Sequence, residues 1–256
     1  MKYIVGNWKM NLGIRESVAL ARGILRSLRG NEKTPEVVLC PSFPALSEVR
    51  KVLTRSRVRL GGQNCGIEKS GAFTGDVSIS MLEDVACKFV IIGHSERRHV
   101  LGETDEMVSK KLKLAMESGM TPILCVGEPK DVREAGDAIS YIQSQLKSAL
   151  DGMSTPRKKR LLVAYEPVWA IGSGKPADVG DIIEMHQIIR GYVEQNSRLQ
   201  EKDISVLYGG SVKSDNAYQY LREGEIDGLL VGGASLKLAQ FSGILAAGIE
   251  VIQAQD

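Results

Sequence analysis

Glu166 closes the apolar run Leu161-Leu162-Val163-Ala164-Tyr165 and is followed at once by Pro167. Such a run reads as a buried strand, and proline, with no N–H to donate, stops the ladder there. The chain then passes through Val168, Trp169 and Ala170 into Ile171-Gly172-Ser173-Gly174-Lys175, stiff at its base and glycine-rich at its tip. A carboxylate at a strand's carboxyl end under such a loop has the makings of a general base beneath a lid; a plain glycine-rich connection is the other reading. Leu162, Ala164 and Glu166 share one strand face, so apolar surroundings would raise the carboxylate's proton affinity unless a neighbouring cation pairs with it.

Three further stretches carry groups that fit this chemistry. Near the N-terminus, Asn7-Trp8-Lys9 ends a strand-like run, and alternation puts Asn7 and Lys9 on one face with Trp8 on the other. An inward lysine demands an anion or carboxylate partner; a lysine curling to solvent is the alternative. Val90, Ile92 and His94 also share a face, read as the interior side of the sheet, and Ser95 begins a helical turn whose start would keep His94 neutral and suited to donating a hydrogen bond. A structural histidine satisfied by a carbonyl is the competing reading. It suits His186, at helical spacing between Ile182 and Ile189, better than His94, and His99 reads as surface. Last, Tyr208-Gly209-Gly210-Ser211 and Val231-Gly232-Gly233-Ala234 each put a diglycine where a strand turns toward a helix, which lets backbone N–H groups approach an anion.

These groups need elements to hold them. Expected strands are Tyr3–Trp8, Val37–Cys40, Val58–Gly61, Phe89–Ile92, Pro122–Val126, Leu161–Tyr165, Ile204–Tyr208 and Gly228–Val231, most of them continuously apolar as in parallel strands covered on both faces. Helical stripes lie between them: Val18/Ala21/Leu25/Leu28, Leu46/Val49/Leu53, Val108/Leu112/Ala115, Ile139/Ile142/Leu146, Ile182/Ile189/Val193 and Phe241/Ile244/Leu245/Ile252. Only the helix around Met81-Leu82-Val85 is expected to be short. Strict alternation over 256 residues with no biased linker predicts one domain, residues 1–256, built as a closed (β/α)₈ barrel of eight parallel strands. An open dinucleotide-binding sheet would need G-x-G-x-x-G after the first strand, where Gly6-Asn7-Trp8-Lys9 stands instead. In such a barrel the active site lies at the carboxyl ends of the strands, and the loops after strands seven and eight are the usual phosphate site.

The bulk composition excludes other classes. With 43% hydrophobic and 25% charged residues and a net charge of +2, nothing points to nucleic acid. The basic runs at Arg55–Arg57 and Arg157–Arg160 read as solvated loop ends. Cys40, Cys65, Cys87 and Cys125 lack ligand or disulfide spacing, so no metal is expected and a reducing cytoplasm fits. No run reaches membrane-spanning length. Gly174-Lys175 is not a nucleotide P-loop, because Trp169 and Pro176 break its pattern.

Taken in order, GNWKMN at Gly6–Asn11, QNC at Gln63–Cys65, GAFTGD at Gly71–Asp76, GHSERR at Gly93–Arg98, AYEPVWAIGSGK at Ala164–Lys175, YGGSV at Tyr208–Val212 and VGGASL at Val231–Leu236 resemble the triosephosphate isomerase family from end to end. The resemblance implies interconversion of dihydroxyacetone phosphate and D-glyceraldehyde 3-phosphate through an enediolate. It implies Glu166 as base, His94 as the donor to the carbonyl oxygen, Lys9 offsetting negative charge, Asn7 orienting oxygens and Glu96 pairing with the lysine. Gly172, Ser211, Gly232 and Gly233 would hold the phosphate, and Pro167 to Lys175 would form the lid. No cofactor is implied. A homodimer is, through a loop carrying Thr74, Gly75 and Asp76. Asp76 stands where the family usually has glutamate, Ser173 where threonine is commoner and Ser214 where proline is common. The alternatives are a barrel isomerase for a larger sugar phosphate and a non-catalytic or moonlighting barrel used for interaction.

Overall fold

The computed structural model describes residues 1–152, 160–170 and 177–254. The strands β1 (Tyr3–Asn7), β2 (Glu36–Cys40), β3 (Arg59–Gly62), β4 (Phe89–Ile92), β5 (Thr121–Val126), β6 (Leu161–Tyr165), β7 (Ile204–Tyr208) and β8 (Gly228–Val231) pair in parallel and in chain order. The sheet closes where Tyr3 faces Gly228 and Gly6 faces Val231. The expected barrel is therefore present.

Around it run α1 (Ile14–Ser27), α2 (Leu46–Leu53), α3 (Ile79–Asp84), α4 (Ser95–His99), α5 (Asp105–Ser118), α6 (Lys130–Glu134), α7 (Ala138–Leu150), α8 (Val179–Asn196), α9 (Ala217–Leu221) and α10 (Leu238–Gln253). The expectation of one short helix needs correction, since α4, α6 and α9 have five residues each. Before α9, the chain spends residues 209–216 on a loop at the barrel mouth, which leaves little length for a helix.

Strand alternation sorts the core into two layers. Val5, Cys40, Ile91, Cys125, Ala164, Leu207 and Leu230 pack with one another inside the barrel. Ile4, Leu39, Val90, Ile92, Val163 and Val206 face outward and pack with the helices. A strand buried on both faces has no polar side, which is why these strands read as unbroken apolar runs. Three helical seams run differently from the expected stripes. In α1 the buried residues are Ser17, Leu20, Ala21, Gly23 and Ile24, with Val18, Leu25 and, just past its end, Leu28 half-covered. In α7, Ile139 is exposed, and in α10 Val251 replaces Ile252.

One buried polar cluster braces the barrel's upper rim. Lys111 Nζ donates to Asn64 Oδ1 and Glu103 Oε2, both at 2.9 Å, and Arg97 pairs with the same Glu103 oxygen. Burial opposes the charged Glu103 carboxylate, but its two cations outweigh that and hold it below the usual range. Asn64 belongs to the turn after β3 and Arg97 to α4, so the cluster ties the loop around Gln63 to the helix beside His94.

Candidate active site

A cleft of about 560 Å³ opens at the carboxyl ends of the strands, with Asn7, Lys9, His94, Glu166, Ser211, Gly232 and Gly233 in its lining. Seven residues expected from sequence thus meet in one place, delivered by β1, β4, β6, β7 and β8. Glu96 stands at the edge, its Oε1 2.5 Å from Lys9 Nζ. Thr74, Gly75 and Asp76 are exposed on the loop before α3 and do not line this cleft. Ile171, Gly172, Ser173, Gly174 and Lys175, the expected lid tip, lie outside the described residues, as do Arg157, Lys158 and Lys159.

Glu166 continues the inward face of Leu162 and Ala164, as alternation requires. Its Oε1 lies 3.0 Å from His94 Nε2, and its Oε2 accepts the Ser95 N–H at 2.9 Å. Of the two readings open for its proton affinity, a rise from apolar surroundings or pairing with a neighbouring cation, the second prevails. Burial does push it up, but His94, by charge and hydrogen bond, then the Ser95 N–H and Lys9, outweigh burial and hold the carboxyl below its ordinary value. The backbone around it is tightly enclosed. A Cβ on Gly127 would sit 1.8 Å from the Glu166 carbonyl oxygen, and one on Gly209 would press its Cγ at 2.9 Å.

His94 reaches the cleft by a route that alternation misjudges. Val90 and Ile92 face outward to the helices, so a strand carried on regularly would point His94 away from the barrel. Gly93 breaks the alternation with φ of +68°, a left-handed conformation that a Cβ disfavours, and this swings the imidazole inward. Arg98 holds the turn, its Nε donating to the Gly93 carbonyl at 2.7 Å and its Nη1 pairing with Asp105 at 2.5 Å. The GHSERR motif therefore contains its own support.

The imidazole's state follows from its two partners. Nδ1 accepts the Glu96 N–H at 3.2 Å, so its lone pair is engaged and the ring proton belongs on Nε2, facing Glu166. Burial disfavours the imidazolium, yet the adjacent Glu166 charge and hydrogen bond outweigh it and raise the ring's proton affinity. A second proton on Nδ1 would meet the Glu96 N–H donor to donor, so that contact opposes the rise, while Nε2–H stays the donor toward Glu166. Helix α4 has only five residues, so one specific N–H, more than a macrodipole, sets the tautomer.

Lys9 also departs from strand geometry. β1 ends at Asn7, Trp8 is buried among the helices, and Lys9 has φ of +52°. Asn7 Oδ1 accepts the Lys9 N–H at 3.0 Å, and Gln63 Nε2 donates to the Lys9 carbonyl at 2.7 Å and to the Cys40 carbonyl at 2.9 Å. Gln63 thereby anchors a strained turn to β2.

At the base of the expected lid, Val168–Ala170 forms a 3₁₀ turn. Trp169 Nε1 donates to Glu128 Oε1 at 2.8 Å, and Tyr165 OH donates to the same oxygen at 3.0 Å. Opposite, Ser211 Oγ donates to the Ala170 carbonyl at 3.2 Å. The segment is thus tied both to the loop after β5, which Tyr165 of β6 also holds, and to the loop after β7. Glu128 was not among the residues expected from sequence, and neither were Lys213, Lys237 and Gln240, which also line the cleft. Only the clustering of polar residues just past strand ends could have flagged them.

The triosephosphate isomerase family model matches residues 2–248. The chain is 45% identical over 244 residues to a triosephosphate isomerase of Aquifex aeolicus, covering 95% of this chain and 98% of that protein. It is 46% identical over 245 residues to one of Rhodopirellula baltica, covering 95% and 96%. One from Magnetococcus marinus is 43% identical over 245 residues, covering 94% and 96%. The chain belongs to the triosephosphate isomerase family. It is an enzyme of that kind, an isomerase of triose phosphates on a (β/α)₈ barrel.

Proposed function

We propose that this cleft interconverts dihydroxyacetone phosphate and D-glyceraldehyde 3-phosphate by one-base proton transfer through Glu166. The observation that carries the reading is the pair Glu166–His94 at 3.0 Å, opposite an anion cradle made by two diglycine turns. Both Glu166 oxygens are engaged, Oε1 with His94 and Oε2 with the Ser95 N–H. Substrate must separate the pair, freeing one carboxylate oxygen to take a proton from the hydroxymethyl carbon and return it to the neighbouring carbon. The transferred proton stays on the base, so this transfer needs no cofactor.

As that C–H bond breaks, its electron pair moves to the carbonyl oxygen, where negative charge develops. His94 Nε2–H is a fixed donor for this oxygen because Nδ1 is already held by the Glu96 N–H; it gives the oxygen a proton and takes one from the neighbouring hydroxyl, so the carbonyl changes place as the carbon is reprotonated. Lys9 adds a positive charge, tethered by Glu96 and by its left-handed turn. Asn7, whose carbonyl oxygen caps that turn, keeps its amide N–H₂ for the substrate oxygens. Ser211, Gly232 and Gly233 receive the phosphate, with Gly172 completing the grip from the lid. Covering the intermediate with residues 167–175 keeps water from an enediolate that could otherwise expel phosphate.

We read the subunit as one domain, residues 1–256, in a cytoplasmic homodimer. Supporting the dimer, Met10 next to Lys9 is 96% exposed and Phe73 next to Thr74 is 43% exposed, apolar surface that a partner's loop would cover. Among the described residues no helix is long and apolar enough to cross a membrane, and recovery of the chain outside the cytosol on cell fractionation would contradict the location.

The deciding experiment is a triose phosphate interconversion assay without added cofactor on the wild-type chain and on Glu166→Gln. The variant should lose turnover by ~10²–10⁴-fold or more while still binding inorganic phosphate. Near-normal turnover would remove Glu166 from its assigned role.

A further inference from the structure

The two halves of the anion cradle come from different connections, Ser211 from the loop after β7 and Gly232-Gly233 from the turn after β8. A single phosphate can be gripped by both only if the loops keep a fixed separation. Two side chains provide for this. Asn216 Oδ1 accepts the Lys213 N–H at 2.7 Å while its Nδ2 donates to the Ser211 carbonyl at 3.1 Å, which makes the loop a closed turn. Next to it, Ser214 donates twice to one atom. Its N–H and its hydroxyl reach Gln240 Oε1 at 3.1 and 3.0 Å.

Gln240 sits in the first turn of α10, the helix that follows Gly232-Gly233, and it lines the catalytic cleft. The atom receiving the Ser214 N–H must be its oxygen, because an amide nitrogen would face donor to donor. One helical turn further, a Cβ on Gly243 would lie 2.6 Å from Ser214 Cβ, so loop and helix meet at a distance only glycine allows. An amide suits this place. It accepts both bonds without bringing negative charge to a cleft that Lys9, Lys213 and Lys237 make positive.

We propose that Gln240 is a positioning residue for the known reaction, clamping the Ser211 loop to the helix after Gly232-Gly233 so that both halves of the cradle meet one phosphate. The inference rests on the assignment of Ser211, Gly232 and Gly233 to the phosphate. Because the clamp touches neither the base nor the carbonyl donor, its loss falls on binding more than on the chemical step.

The test measures KM, kcat and competitive inhibition by inorganic phosphate for the full chain and for Gln240→Met, Gln240→Glu, Ser214→Ala and Ser211→Ala. Gln240→Met, which keeps length but loses the acceptor, should raise KM and the phosphate inhibition constant about 3- to 10-fold, with a smaller change in kcat. Ser214→Ala keeps one of the two bonds and should fall between it and the wild type. Gln240→Glu keeps both bonds but adds charge, so its weakening should recede as salt rises, whereas that of Gln240→Met should not. Unchanged phosphate inhibition in Gln240→Met, while Ser211→Ala weakens it, would overturn the clamp. So would a Gln240→Met that loses kcat and thermal stability with KM unmoved. A wild-type chain insensitive to inorganic phosphate would instead sink the anion site itself, and the inference with it.

Discussion

Glu166 is held in a contest between burial and the charge and hydrogen bonds of its neighbours, and the neighbours prevail. His94 contributes the largest opposing share, so removing it should reveal what burial does alone. In His94→Gln the Glu166 proton affinity should rise, and the acid limb of kcat/KM for the residual activity should move to higher pH. An acid limb at the wild-type position would show that His94 does not hold the carboxyl down. The same pair explains why neither residue's role could be read from its own environment. The sequence left open whether the apolar face or a paired cation sets the proton affinity of Glu166, because the groups that decide, the His94 ring and the Ser95 N–H, come from the turn after β4, distant in sequence.

At the scale of elements, the strands bring their last residues to the cleft, and the first residue past each strand decides where a side chain goes. β6 simply continues its alternation into Glu166. β4 does not, since Gly93 turns the chain over before His94, and β1 gives way to the left-handed Lys9. Close packing of the connections fixes the result. Gly127, just past β5, leaves no room for a methyl group against the Glu166 carbonyl. Gly127→Ala should displace the base and lower kcat by roughly 10²-fold, on the scale that an ångström of misplacement costs, while binding of inorganic phosphate persists. A near-wild-type kcat would mean that the β5 turn can yield without moving Glu166.

For the whole molecule, a histidine with no place in the reaction sets part of the acid stability. His186 on α8 is fully buried, edge-on to Tyr165, with Nδ1 3.3 Å from the Glu225 carbonyl. Burial lowers its pKa to about 3, against an ordinary value near 6.5 that it regains on unfolding. Between those two values the unfolded chain binds a proton that the folded chain refuses. Stability should therefore fall as pH drops through that window, by up to about 1.4 kcal/mol per pH unit. In His186→Gln, denaturant titrations from pH 6 to 4 at one protein concentration should show a shallower slope by about one proton; an unchanged slope would exclude His186 as the group responsible. The quaternary reading has its own check. Sedimentation at working concentration should give a dimer, and a fully active monomer would contradict it.

What the sequence determined by itself was the periodicity and the chemistry. Unbroken apolar runs alternating with helical stripes require parallel strands covered on both faces, and eight of them in this length close into a barrel. Where a strand runs regularly to its end, as β6 does, even the facing of the side chain was legible. Tertiary structure alone decided the rest, because those features depend on groups remote in the chain. Examples are the inversion at Gly93 braced by Arg98, the Gln63 anchor on Lys9, the Glu128 tie to Trp169 and the Gln240–Ser214 clamp. Local propensity describes what a segment can do next to its own neighbours. A proton affinity, a tautomer or the spacing of two phosphate loops is set by atoms that fold against it from elsewhere.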